Sequence, residues 1–139
     1  MVIDSIAVDS LIVAGGQIHG THHIRATILD PNATYDVSTT VLLVPVTEDA
    51  MTITNIDATC GADPTTELQF SIVQATGYID KTSPTDIEDN ETDGGIRTVA
   101  SGDIDITAVA QGQCIYLLFD SDPEDAMTSF SVDITYTFD

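Results

Sequence analysis

The sequence predicts an all-β protein, an antiparallel β-sandwich or jelly roll with little or no helix, and three observations carry that expectation. Apolar and polar residues alternate at a period of two in segments 51–56, 68–72, 103–106 and 130–138, the pattern of strands with one buried face. Thr, Ile and Val are abundant, and β-branched side chains fit a pleated surface better than a helix. Nowhere does the i, i+3, i+4, i+7 spacing of an amphipathic helix persist over three turns.

In chain order, strands are expected near residues 2–8, 10–14, 22–29, 39–46, 51–59, 66–74, 103–109, 114–119 and 127–138. Turn signals separate them: Gly15-Gly16, Asp30-Pro31-Asn32, Gly61 to Pro64, Gly112, and the acidic knot Asp120, Asp122, Glu124 and Asp125 around Pro123. Frequent turns without intervening helices are the signature of a sandwich. Pro45, inside VLLVPV, marks its strand as an edge or a bulge, because proline cannot donate to a ladder. Two stretches echo each other: 53–72 and 114–134 both read as strand, Asp-Pro turn, strand, and are expected to form similar hairpins.

One segment breaks the rhythm. Residues 79–101 are polar, acidic and glycine-bearing, and read as a long exposed acidic loop that Ile87, Ile96 and Val99 could anchor. Loops of such length usually bind something or reach a neighbour. With 139 residues and 14.8 kDa, the chain is expected to be one β-sandwich domain over 1–139. Its apolar start is expected to be an N-terminal strand or arm, residues 1–9, that completes its own sheet or adds to a neighbour's edge.

The net charge of −20 sets 23 acids against Arg25, Lys81 and Arg97. So few cations cannot displace counterions from phosphates, so no nucleic acid partner is expected, and an anionic membrane surface is disfavoured on the same ground. No apolar run is long enough to span a bilayer. The N-terminus lacks a basic region and places Asp4 and Asp9 in its apolar stretch, so it is not read as a secretory signal and synthesis in the cytoplasm is expected. Cys60 and Cys114 are accordingly expected to be half-buried thiols.

Site chemistry is sparse. Read as a calcium loop, 120–131 has Asp125 where the sharp turn needs Gly and Ser131 where a bidentate Glu belongs; 89–100 has Gly94 at the turn but ends on Ala100. His19, His22 and His23 could bind a transition metal, yet on a strand His22 and His23 point to opposite faces. No Gly-x-Ser-x-Gly elbow is present, Trp is absent, and acid pairs are too common here to single out a hydrolytic dyad. No metal, cofactor or catalytic residue is assigned, and no enzymatic activity is expected.

TCGADPTTELQFSI, residues 59–72, and QGQCIYLLFDSDPEDAMTSFSVDITYTF, residues 111–138, together resemble small virion proteins of tailed bacteriophages, aquatic and cyanobacterial ones especially. Those proteins are encoded near the capsid genes and act as head decoration, or cement, proteins. The resemblance implies a virion structural protein on the exterior of an icosahedral capsid, made in the host cytoplasm. It further implies the major capsid protein as partner and a symmetric homo-oligomer, trimer or dimer. Expected contacts to shell or neighbour are Val2, Ile3, Ile6 and Val8 in the N-terminal run and Ile87, Ile96 and Arg97 in the 79–101 segment. The alternative is a tail, fibre or surface-adhesion module recognising a host glycan or protein, which an aromatic-lined concavity would mark.

Overall fold

Period-two alternation becomes long strands, and these pair in one pattern. The structure, a computed structural model, describes residues 12–13, 16–17, 20–61, 67–92, 96–123 and 127–139. In chain order the strands are β1 (Ile12–Val13), β2 (Gly16–Gln17), β3 (His22–Leu29), β4 (Thr40–Val44), β5 (Met51–Gly61), β6 (Leu68–Thr76), β7 (Thr82–Thr92), β8 (Arg97–Ala100), β9 (Ala108–Val109), β10 (Cys114–Phe119) and β11 (Ser129–Phe138). A helical turn of four residues, Pro31–Thr34, follows β3.

Setting aside the short β1, β2 and β9, the remaining strands pair first with last and so inward: β3 with β11, β4 with β10, β5 with β8, β6 with β7, all antiparallel. β11 also meets β5, and β10 also meets β6. The result is two sheets, β3-β11-β5-β8 with β9 on β5, and β4-β10-β6-β7. An antiparallel ribbon folded over itself in this way is a jelly roll. β1 and β2 form a separate small ribbon.

Alternation decides what lies between the sheets. From one side come Ile53, Ile56, Phe130, Val132 and Ile134; from the other come Leu68, Phe70, Ile72, Ile115, Leu117 and Phe119, all buried in one cluster. Phe130 bridges the layers, its ring centroid 5.2 Å from that of Phe70 and 5.7 Å from that of Phe119, both edge-to-face. Full burial of side chains this size stabilises by about 1.5–3 kcal/mol each. The layers are therefore joined by a single apolar interior, which fixes the positions of both outer faces.

Pro45 has the expected consequence. β4 is an edge strand that stops at Val44, and its register against β10 shifts between Ile115 and Tyr116. Two expectations are corrected. The segment read as a loop over 79–101 is mostly strand, β7 and β8. It escaped the hydropathy pattern because β7 turns Glu88, Asn90 and Thr92 toward the interior, opposite Ile72, Phe70 and Leu68. Glu88 is buried, accepting from Asn90 Nδ2 at 2.6 Å and the Asp105 backbone N–H at 3.3 Å. Conversely, of the strand expected at 103–109 only Ala108–Val109 pairs, since Asp103 N–H turns back to Ala100 O at 2.8 Å.

The echoed Asp-Pro segments are not hairpins either. Each leads from one sheet to the other, β5 to β6 and β10 to β11. The described ends of the two crossovers meet, with Thr128 N–H on Gly61 O at 3.1 Å and Asp120 N–H on Gln69 O at 2.9 Å. Two equivalent corners of one roll account for the sequence echo. Cys60 sits in the interior cluster while Cys114 lies in a small cluster with Val73, Ala75 and Tyr116, and no bond joins them.

Candidate functional site

The two outward faces of the roll are built by the same alternation from different residues. On the five-stranded sheet the register sets out rows across the strands: Leu29–Ser129–Gly61, Thr27–Ser131–Thr59, Arg25–Asp133–Asp57–Thr98 and His23–Thr135–Asn55–Ala100. Six of these fourteen residues are Ser or Thr and two more are Gly61 and Ala100, so short side chains keep the face low in relief. Gly61 is closely covered at its end, since a Cβ there would press on Ser129 Oγ and Thr128 Oγ1.

Charge on this face is largely answered in place. Arg25 Nε donates to Asp133 Oδ2 at 2.8 Å, and His23 Nδ1 lies 2.9 Å from Asp133 Oδ1. Partial burial pushes the Asp133 carboxyl up, but the hydrogen bonds from Arg25 and His23, and their charges, outweigh it and hold the group below its ordinary value. Asp57, directly across from Asp133, accepts from Thr98 Oγ1 at 2.6 Å. Among the described residues no cation pairs with Asp57. A shallow depression of about 500 Å³ runs over Thr27, Ser131, Thr59 and Thr98, with Ile96 along it.

The outer face of the four-stranded sheet is divided. At one end Tyr116, Val73, Ala75 and Cys114 are buried under Tyr78 and Leu118. Tyr78 Oη lies 2.7 Å from Thr40 Oγ1, its ring meets Tyr116 edge-to-face at 5.7 Å, and Lys81 Nζ stands 4.7 Å above the Tyr78 ring. At the other end a concavity of about 700 Å³ is lined by Gln69, Ser71, Asp86, Asp89, Glu91 and Asp120, and by Arg97 from β8 of the other sheet. The buried Ser71 hydroxyl is within reach of both Asp89 Oδ1 and Asp120 Oδ2. One hydroxyl donates one proton, so the two carboxylates compete for it. Burial, then the charges of Asp89, Asp120 and Asp105, raise the Asp86 carboxyl above its ordinary value.

Of the calcium-loop spacing at 89–94, residues 93–94 lie outside the described residues. Within it Asp89 and Glu91 lie on the outer face and Asn90 on the inner one of an extended strand, so these three do not converge on one point. Among the described residues no group of three or more His, Cys, Asp or Glu side chains is placed to hold a metal. His22 and His23 do point to opposite faces. His22 stacks on Tyr136 at 5.4 Å and meets Phe138 edge-on at 4.9 Å, while His23 faces Asp133.

Of the expected contact residues, Val2, Ile3, Ile6 and Val8 lie outside the described residues. Ile87 is corrected: it is fully buried between the sheets at a register shift in β7, so it packs the core rather than presenting to a neighbour. Ile96, at 77% exposure, and Arg97 are at the surface where β8 begins. The acidic knot is partly structural too. Asp122 accepts from the Val37 backbone N–H, Asp120 meets Ser71, and the Pro123 carbonyl accepts from Asn32 Nδ2 at 2.7 Å. Sequence reasoning had no access to Asp57, Thr59 and Ser131, whose only signal is alternation and whose grouping needs the register.

No protein-family model matches the chain, and no curated protein sequence matches it. Solved structures share its fold. The chain is similar to one in the capsid of Ralstonia phage GP4, with a TM-score of 0.58 and 11% identity over 88% of this chain and 85% of that one. It is also similar to one in the acidic stable capsid structure of Helicobacter pylori bacteriophage KHP30, with a TM-score of 0.51 and 9% identity over 87% and 90%. At such identities the likeness is one of fold.

Proposed function

We propose that the protein is a phage virion structural protein, and specifically a head decoration protein that binds the outside of an icosahedral capsid and stabilises it. Its strongest support is the likeness of fold to a chain of the Ralstonia phage GP4 capsid, which spans 88% of this protein and 85% of that chain rather than one domain of something larger. The decoration role draws in addition on the resemblance carried by residues 59–72 and 111–138. Charge favours the exterior: a chain at −20 with three cations would be repelled by packaged nucleic acid on the inner wall.

The physical task would be to tie neighbouring shell subunits together through many modest contacts, a multivalent effect that shifts shell stability by mass action. Residues Val2, Ile3, Ile6 and Val8 would add to an edge of the shell or of a neighbouring copy in a dimer or trimer, with Ile96 and Arg97 as further contacts. Removing residues 1–9 should leave a cooperative thermal transition and abolish assembly.

Cryo-microscopy of virions is the direct test. High copy number over the head surface is the expected result, whereas a few copies at the tail would replace this reading by the adhesion module. The acidic concavity has no aromatic ring in its lining, and Tyr116 is buried, so an open sugar platform is not offered there.

A further inference from the structure

Although the chain carries a net charge of −20, the central rows of the five-stranded face set only Asp57 and Asp133 against Arg25. Both oxygens of Asp133 are occupied, by Arg25 and His23. Asp57 receives one hydroxyl, from Thr98. Next to it Thr27 Oγ1 and Ser131 Oγ bond each other at 3.0 Å, which satisfies much of the floor's polarity internally. Ile96, 77% exposed, stands along the same depression. The face thus combines low relief, an exposed apolar side chain and one carboxylate without a counter-ion.

We infer that this face is the docking surface for the capsid shell, and that the shell segment it takes presents an Arg or Lys to Asp57 beside a short apolar side chain lying over Thr27, Ser131 and Thr59 against Ile96. The inference rests on the decoration reading. A carboxylate covered by a partner is costly unless that partner supplies a cation. A second copy of this chain is a poor source of one. Arg25 is committed to Asp133, Lys81 stands over the Tyr78 and Tyr116 rings, Arg97 lines the acidic concavity with Asp86, Asp89 and Asp120, and two chains each at −20 repel. The opposite sheet, with its crowded acids, is left to face solvent.

The experiment titrates the full-length protein onto shells of its own phage prepared without it. Thr59→Glu should weaken binding by more than about 100-fold, since like charges brought together at an interface cost several kcal/mol. Ser131→Glu should do the same and serves if the first variant fails to fold, as read by thermal melting. Asp57→Asn should weaken binding by about tenfold and flatten its salt dependence, while Glu91→Gln on the other sheet should change it by less than about twofold. Wild-type-like binding by a folded Thr59→Glu or Ser131→Glu variant overturns the assignment of this face and leaves the decoration role standing. Failure of the wild type to bind overturns both. A dimer of the free protein that Thr59→Glu dissolves would give the face to a second copy instead.

Discussion

The outer faces of the two sheets rest on the same interior and follow the same alternation, yet they handle acid in opposite ways. On the five-stranded sheet, Asp133 faces Asp57 across β11 and β5, but Arg25, His23 and Thr98 answer them. On the four-stranded sheet, Asp89 and Asp120 share one serine hydroxyl, and burial, then the charges of Asp89, Asp120 and Asp105, raises the neighbouring Asp86. A large net charge is therefore not spread as a uniform coat. Repulsion is concentrated where water can screen it and relieved where the surface is flat, which is the condition for one face to meet another protein.

The comparison breaks most completely if the shared interior is removed. Phe130→Ala should cost about 3–5 kcal/mol, the usual loss for truncating a fully buried phenylalanine, because Phe130 touches rings of the opposite sheet. Urea unfolding should show a single transition at a lower midpoint. A loss confined to one sheet, seen by hydrogen exchange, would mean that the layers are not one cooperative unit. Next in size is Gly61→Ala, whose new methyl group would press on Ser129 Oγ and Thr128 Oγ1 at the end of the flat face and where the two corners meet. Overpacking of this kind costs about 1–3 kcal/mol.

Asp133→Asn sharpens the contrast at a smaller scale. Loss of the Arg25 and His23 interactions at a partly exposed site should cost about 0.5–1 kcal/mol near neutral pH. The folded value of Asp133 lies below its ordinary one of 3.8, so its stabilisation is present above the unfolded value and fades as pH falls through the folded one. The wild type and variant should therefore converge in stability as the pH falls through the folded value of Asp133, below its ordinary 3.8. A gap that persists there would point to the side chain's shape rather than its charge.

Much of this architecture is legible in the sequence, for one physical reason. Strands with an apolar face toward a single interior announce themselves by alternation, and β3 and β10 fall on the residues expected, with β5, β6 and β11 within two. β7 does not, because an edge strand that turns Glu88, Asn90 and Thr92 inward has no apolar side to display. Pro84 sits within β7, where an edge position tolerates it. The candidate docking face is hidden for the complementary reason. Thr27, Thr59 and Ser131 are ordinary outward residues of separate strands, and only the registers of β3, β11 and β5 make them neighbours. Ile96 and Arg97 were visible as exceptions in an acidic stretch, and Ile96 does line that face.

The smallest effect expected is also the one that separates the two faces most cleanly. Asp86 has a folded value above its ordinary 3.8, from burial first and then from Asp89, Asp120 and Asp105. The folded state thus holds that proton more tightly than the unfolded chain does. Its contribution to stability is fully present below the unfolded value and is lost as pH rises through the folded one, the reverse of Asp133. Asp86→Asn should accordingly stabilise the protein near pH 7, raising Tm by about 1–3 °C for a site this open to solvent. The gain should shrink toward zero below about pH 3, where Asp86 itself is neutral, and diminish in about 1 M salt as the screening length falls to about 3 Å. A gain independent of both would assign the effect to local packing and remove the charge asymmetry as the distinction between the faces.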